Sequence, residues 1–257
     1  MKKVIHFSDV HVGFGDLSDR FEIVLGNLIF TKEPASDYVV VVTGDLVEDA
    51  TGPANYPRAR AHIERLRQVG FDVLTVPGNH DYGTGDVGSR QFVDLYKQTF
   101  FGAADVTYPK LDVLDGAAFL GLDSMAEELN WYDRLFAQGE LGDAQLVRLD
   151  ALLRGPAVAA CRYRVVYLHH HPFDPWPLHE LKDSAALGEV LIGCGNVDAL
   201  LYGHNHQGKK RNGKWGIPRC YDAGSTTRKR GSAGYHRVID LSRDPRWDYD
   251  ADFHGNY

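Results

Sequence analysis

Tyr38-Val39-Val40-Val41-Val42-Thr43 is apolar and β-branched at successive positions, the pattern of a strand buried on both faces. It stops at Gly44-Asp45. Residues 3–8 form a similar short run that ends at Asp9, and Val73 to Pro77 forms another that ends at Gly78-Asn79. Between these runs the period changes. Phe21, Val24, Leu25 and Leu28 predict an amphipathic helix over 20–30, and Ile63, Leu66 and Val69 predict one over 57–69. Strands alternating with helices indicate βαβ units around a largely buried sheet.

The second half is less regular. Residues 91–100 read as a helix, 106–123 as a hairpin pair, and Asp143 as the N-cap of a helix through Leu153. Arg164 to Leu168 is a strand running into His169-His170-His171, and Val197 to Tyr202 is one running into Gly203-His204. Residues 217–241 suggest short antiparallel strands turning at Gly224 and Gly234, and the polar tail from about 244 shows no periodicity. No repeat or linker interrupts the chain. One α/β domain over 1–257 accounts for both halves: a two-sheet β-sandwich flanked by helices.

Composition narrows the function classes. The chain is 44% hydrophobic, enough for an ample core, and its net charge of −7 opposes general affinity for nucleic acid or membranes. Cys161, Cys194 and Cys220 are widely spaced and form no C-x-x-C pair, so they read as small buried residues in a reducing compartment. No signal-peptide core or membrane-spanning run is present, and a cytoplasmic location is the expectation.

The chemistry lies where the strands end. Asp9-Val10-His11, Gly44-Asp45-Leu46-Val47-Glu48, Gly78-Asn79-His80-Asp81, His169-His170-His171-Pro172 and Gly203-His204-Asn205-His206 each follow a hydrophobic run. Open α/β sheets bind ligands beyond the carboxyl ends of their strands, so the five segments gather around one point. Carboxylates, an amide oxygen and imidazoles are the ligand types of a two-cation hydrolytic site, in which a pair of ions about 3.5–4 Å apart neutralises a phosphoryl group and supplies hydroxide. Taken singly, Asp9 and Asp45 could be turn caps and His204 and His206 solvated turn residues, but those readings leave the convergence unexplained.

The ordered series D-x-H, G-D-x-x-E, G-N-H-D, H-x-P and G-H-x-H, spanning residues 3 to about 225, resembles the calcineurin-like metallophosphoesterase superfamily. The subgroup it most resembles is the small bacterial type that includes cyclic-nucleotide phosphodiesterases. The resemblance implies a first metal on Asp9, His11 and His206, a second on Asn79, His170 and His204, and Asp45 bridging them. It implies that His80 contacts the phosphoryl group and serves the leaving oxygen, with Asp81 orienting His80. The H-x-P spacing selects His170; His169 competes, because successive strand residues face opposite ways. Glu48 reads as a surface or supporting residue, Asp123 as a supporting one, and His6 and His62 as structural. The implied metals are two divalent ions, manganese, iron or zinc.

The expected reaction is hydrolysis of a phosphate ester, a phosphodiester of nucleotide type foremost. A phosphomonoesterase or nucleotidase, a nuclease on small nucleic acids, and a non-catalytic metal-binding scaffold are the alternatives. Trp176, in a proline-rich loop with Phe173 and His179, and Tyr82, with the glycine-rich stretch after it, would wall the substrate cleft. The basic runs Lys209 to Lys214 and Arg228-Lys229-Arg230 read as solvated edges before they read as phosphate-backbone contacts, and Asn212-Gly213 marks a hairpin turn. The substrate is thus a small anionic ester, with nucleic acid not favoured and the oligomeric state open.

Overall fold

The structure, a computed structural model, describes residues 2–85, 88–125, 138–175, 179–227 and 235–252. Two five-stranded mixed sheets pack face to face, each covered by helices on its outer side. In the first sheet β1 (Lys3–Phe7), β2 (Tyr38–Thr43) and β3 (Asp72–Val76) run parallel, joined by α1 (Leu17–Thr31) and α2 (Asn55–Val69). These are the predicted βαβ units. α3 (Arg90–Phe101) then leads to the antiparallel pair β4 (Lys110–Leu114) and β5 (Ala117–Gly121), which opens the second sheet. α4 (Asp143–Arg154) and the short α5 (Pro156–Ala159) lead to β6 (Tyr163–Tyr167), and α6 (Ser184–Cys194) to β7 (Ala199–Tyr202). From β5 through β8 (Arg219–Asp222) the second sheet is parallel.

Alternation assigns each strand residue to one of three layers. Val40 and Val42 of β2 pack under α1–α3, while Val39 and Val41 face the other sheet. Val166 and Leu168 pack under the helices of the second sheet, while Val165 and Tyr167 lie between the sheets. The β-branched runs are therefore buried on both faces because both faces are covered.

The C-terminal third departs from the sequence reading. β8 and β9 (Tyr235–Ile239) do not pair with each other: β8 lies parallel to β7, and β9 crosses to the first sheet, antiparallel to β1. The tail, read as unstructured, holds β10 (Tyr249–Asp252), the edge strand beside β9. Buried arginines join the sheets here. Arg237 donates from Nη1 to the Asp222 carbonyl (2.8 Å) and from Nη2 to the Gly208 carbonyl (2.9 Å), and its Nε meets Asp250 at 2.6 Å. Arg219 and the Tyr221 hydroxyl both donate to Asp248 Oδ2, at 2.7 and 2.8 Å. A buried guanidinium persists only when its N–H groups are satisfied, and these are.

Residues 209–211 fold back on 220–222, with Arg211 N donating to the Cys220 carbonyl (2.8 Å) and Asp222 N to that of Lys209 (3.0 Å), but the connection is a longer loop with a 3₁₀ turn at Lys214–Gly216 and not a two-residue turn at Asn212-Gly213. Lys210 Nζ donates to the Asp248 carbonyl at 2.9 Å, which makes one member of the basic run a structural tie. Arg228-Lys229-Arg230 lie outside the described residues. Among the described residues, no helix is long and apolar enough to cross a membrane.

Candidate metal centre

β1, β2, β3, β6 and β7 all end on one rim of the sandwich, and each delivers a polar segment there. Hydrogen bonds continue the ladders past the strand ends: Asp9 N donates to Gly44 O (3.1 Å), Val10 and His11 N to Asp45 O (2.9 and 3.0 Å), and Gly203 N to His169 O (2.9 Å). The backbone then turns sharply. Asp9 (φ 53°), His11 (53°), Asp45 (52°), His204 (74°) and His206 (54°) all adopt the left-handed conformation, which among non-glycine residues Asp, Asn and His tolerate best. Adjacent glycines let the turns interlock. A Cβ on Gly44 would stand 2.5 Å from His169 Nδ1, and one on Gly203 would collide with the Ser8 hydroxyl.

The resulting geometry brings donor atoms of opposite sheets together. Asp45 Oδ2 lies 3.9 Å from His11 Nε2 and 3.4 Å from His169 Nε2. On one side, His206 Nε2 stands 2.9 Å from Asp9 Oδ1 and 3.4 Å from His11 Nε2. On the other, His169 Nε2 stands 3.1 Å from Asn79 Oδ1 and 3.2 Å from His204 Nδ1. Asp45 therefore sits between two groups of ligand-type atoms.

Supporting contacts fix which ring nitrogens face inward. The Glu48 carboxylate lies 2.8 Å from His11 Nδ1, and the Thr43 carbonyl 2.7 Å from His169 Nδ1. Each ring thus has its Nδ1 beside a protein oxygen and its Nε2 on the side of Asp45. Lone pairs aimed at one another and at a carboxylate repel unless a cation or a proton stands between them. The donor set of oxygen and imidazole nitrogen fits borderline divalent cations, so the residues present suit a metal pair. Asn79 is held by donation from its Nδ2 to the Gly85 carbonyl (3.1 Å), which presents its oxygen to the site. Ser225 and Thr227 hydroxyls brace the first turn, donating to the carbonyls of Asp9 and Val10, both at 2.9 Å.

Protons already respond to this field. Burial pushes the Asp9 carboxyl up, but His206 beside it prevails and holds it at about 2. Burial pulls His169 down, but Asp45 outweighs it and raises the imidazole to about 9. His204 is lowered to about 3 by burial and then by the charge of His169.

Several site residues stand elsewhere than the sequence suggested. His169, not His170, faces Asp45; His170 Nδ1 meets Ser124 Oγ at 2.8 Å and its ring packs on His204. His169 shares its face of the strand with Val165 and Tyr167, which point between the sheets, and His170 stays beside it, with ligand-type atoms of His169, His170 and His204 all within 4.8 Å of one another. His171 packs on Tyr202. His80 is at the site, its ring edge-on to His11 with centroids 4.9 Å apart. Asp81 does not orient that ring. Its carboxylate accepts from the backbone amides of Val47 (3.0 Å) and Gly78 (2.9 Å), while the Glu48 carbonyl holds His80 Nδ1 at 2.6 Å. Burial and the neighbouring Asp45 raise the Asp81 carboxyl to about 7. Tyr82 walls no cleft: it is fully buried and donates to Asp123 Oδ2 at 2.9 Å. Trp176 lies outside the described residues. His6, on Thr43, and His62, on Glu22, are structural as read. Glu48 takes the supporting place that the sequence reading allowed it, beside His11 and His80.

Two mixed sheets between helices, with clustered oxygen and imidazole donors at the strand ends, define the metallophosphoesterase class of fold. A profile of the calcineurin-like phosphoesterase family matches residues 2–208, and the chain belongs to that family. Its curated relatives include the 3',5'-cyclic adenosine monophosphate phosphodiesterase CpdA of Haemophilus influenzae, 31% identical over 182 residues, or 69% of this chain and 57% of that protein. The Escherichia coli K12 protein of the same name is 29% identical over 175 residues, covering 66% and 54%. The match thus spans little more than half the length of these relatives. Among solved structures, a dimetal phosphatase from Danio rerio superposes with a TM-score of 0.67 at 14% identity, covering 98% of this chain and 99% of that one. The protein TT1561 of Thermus thermophilus gives 0.61 at 13% identity, covering 98% of each.

Proposed function

We propose that this protein is a two-metal phosphodiesterase acting on a small nucleotide-type diester, with cyclic nucleotides the foremost class. The observation that carries the reading is the approach of Asp45 Oδ2 to imidazole nitrogens from both sheets, with the Glu48 carboxylate and the Thr43 carbonyl beside the other nitrogen of each ring. Asp9, His11, Asp45 and His206 would hold one cation, and Asp45, Asn79, His169 and His204 the other, with manganese, iron and zinc all suited to the donors. Bound divalent cations would supply charge neutralisation for the phosphoryl oxygens and an acidified water near neutral pH.

The chain's own residues complete the reaction. With Nδ1 donating to the Glu48 carbonyl, His80 keeps Nε2 for the substrate. In its protonated form that nitrogen gives a proton to the departing alkoxide as the P–O bond breaks. Glu48 acts twice, through its carboxylate on His11 and its carbonyl on His80, so metal and proton donor are positioned from one residue. The preference for a diester rests on the bacterial relatives, whose name specifies a cyclic nucleotide.

The test is hydrolysis of bis-p-nitrophenyl phosphate against p-nitrophenyl phosphate on metal-stripped protein reloaded with manganese, iron or zinc. Diester turnover above monoester turnover is expected. Monoester preference would redirect the reading to a phosphatase or nucleotidase, and no metal-dependent turnover of either would sink it.

A further inference from the structure

Beside the metal centre lies a cleft of about 470 Å³ lined by Asp174, His179, Asn205 and Gln207. Asn205 and Gln207 flank His206 in sequence, so the cleft and the centre share one short loop. The size suits a nucleoside. Its chemistry is selective. Asp174 is buried and accepts a hydrogen bond from the Asn205 amide nitrogen, which fixes that amide and leaves it one N–H and its oxygen for a ligand. A buried carboxylate repels a second phosphate but accepts from an amino group. Side-chain amides pair with base edges that carry a donor next to an acceptor.

We infer that this cleft is the subsite for the organic portion of the substrate, and that it takes a nucleobase bearing an exocyclic amine, held by the Asn205 and Gln207 amides. The inference rests on the diesterase reading and names the part of the diester that the metals do not touch. It also explains how the loop between β7 and β8 could couple recognition to catalysis: the base engages residues on either side of His206, which touches Asp9.

Two measurements test it. The first is the ratio of kcat/KM for cyclic AMP to that for bis-p-nitrophenyl phosphate, in the manganese-loaded wild type and in Gln207→Ala and His179→Ala. The subsite requires this ratio to fall by about 5–100-fold, chiefly through KM, as loss of one or two hydrogen bonds to the base would give. An unchanged ratio, with both substrates losing equally or not at all, overturns it. The second is equilibrium binding of adenosine, which has no phosphate, to metal-free protein. Binding weakened by Gln207→Ala supports the subsite even if no ester is turned over, in which case only the diesterase reading fails. No adenosine binding, or binding indifferent to the substitution, overturns the subsite while leaving the diesterase reading to the turnover assay.

Discussion

Among the proposed ligands, the first sheet brings two carboxylates, one amide and a single imidazole, all from the ends of three adjacent parallel strands. The second sheet brings three imidazoles and no carboxylate. The negative charge is thus collected on one side and met by neutral nitrogen donors from the other. Neither sheet holds a complete set, because His206 completes Asp9 and His11, and His169 and His204 complete Asn79. Metal affinity in such an arrangement depends on how the sheets pack, and the buried Arg237, which ties β9 to Asp222 at the end of β8, belongs to the support of the centre as much as to the fold.

Breaking the contribution of the first sheet should have the largest effect. Asp45→Asn removes the group shared by both halves, and its cost in metal affinity should exceed the roughly 10–100-fold typical of a supporting partner. Elemental analysis after dialysis should show both ions depleted together; loss of one alone would mean Asp45 does not bridge. His80→Ala lies outside the ligand sets, and should lower kcat by about 10²–10⁴-fold with metal content intact. Depletion of metal in that variant would place His80 among the ligands instead.

The second sheet gives a sharper contrast. His169→Ala should remove about half of the bound metal, whereas His170→Ala should retain both equivalents. The reverse outcome would restore the H-x-P reading. Glu48→Gln should weaken metal binding about 10–100-fold, because the amide no longer sets a negative charge 2.8 Å from His11 Nδ1. Equal affinity in that variant would show that the His11 ring is fixed by packing alone.

The smallest expected effect is on pH. In the metal-free protein Asp45 and its neighbours, outweighing burial, raise His169 to about 9, so a proton occupies that nitrogen at neutral pH. The stability it contributes is complete below its unfolded value near 6.5 and is lost as pH rises through about 9. A cation must displace this proton, so affinity should climb with pH toward 9, by at most about tenfold per unit. The slope should flatten in His169→Ala.

Much of this was legible in the sequence because the first sheet is locally consistent. β1, β2 and β3 are continuous apolar runs, and Asp9, His11, Asp45 and Asn79 follow them at once. Which of His169 and His170 approaches Asp45 was not legible from spacing, since it depends on which parity of β6 faces the other sheet. Val165 and Tyr167 answer that only once the layers are known. Asp81 and Tyr82 look like site residues because they adjoin His80, yet the short 3₁₀ turn at 80–82 sends them into the interior. Tyr249-Asp250-Ala251-Asp252 alternates apolar and acidic residues, but at four residues with two aspartates it reads as polar tail, and its hold on the sheet comes through the ladder to β9 and the ion pair of Asp250 with Arg237.

The left-handed turns have a consequence for how such a site can change over time. At Asp9, His11, Asp45, His204 and His206 an ordinary L-residue would carry a backbone penalty of roughly 1–2 kcal/mol, which Asp, Asn, His and Gly lessen or avoid. The backbone and the metal therefore favour overlapping sets of residues. A lineage that lost its need for metal would still be steered toward Asn and Gly at these positions, and would remain one nucleotide change from regaining several of its ligands. Descendants of this fold that had lost the ion would keep its outline in the main chain.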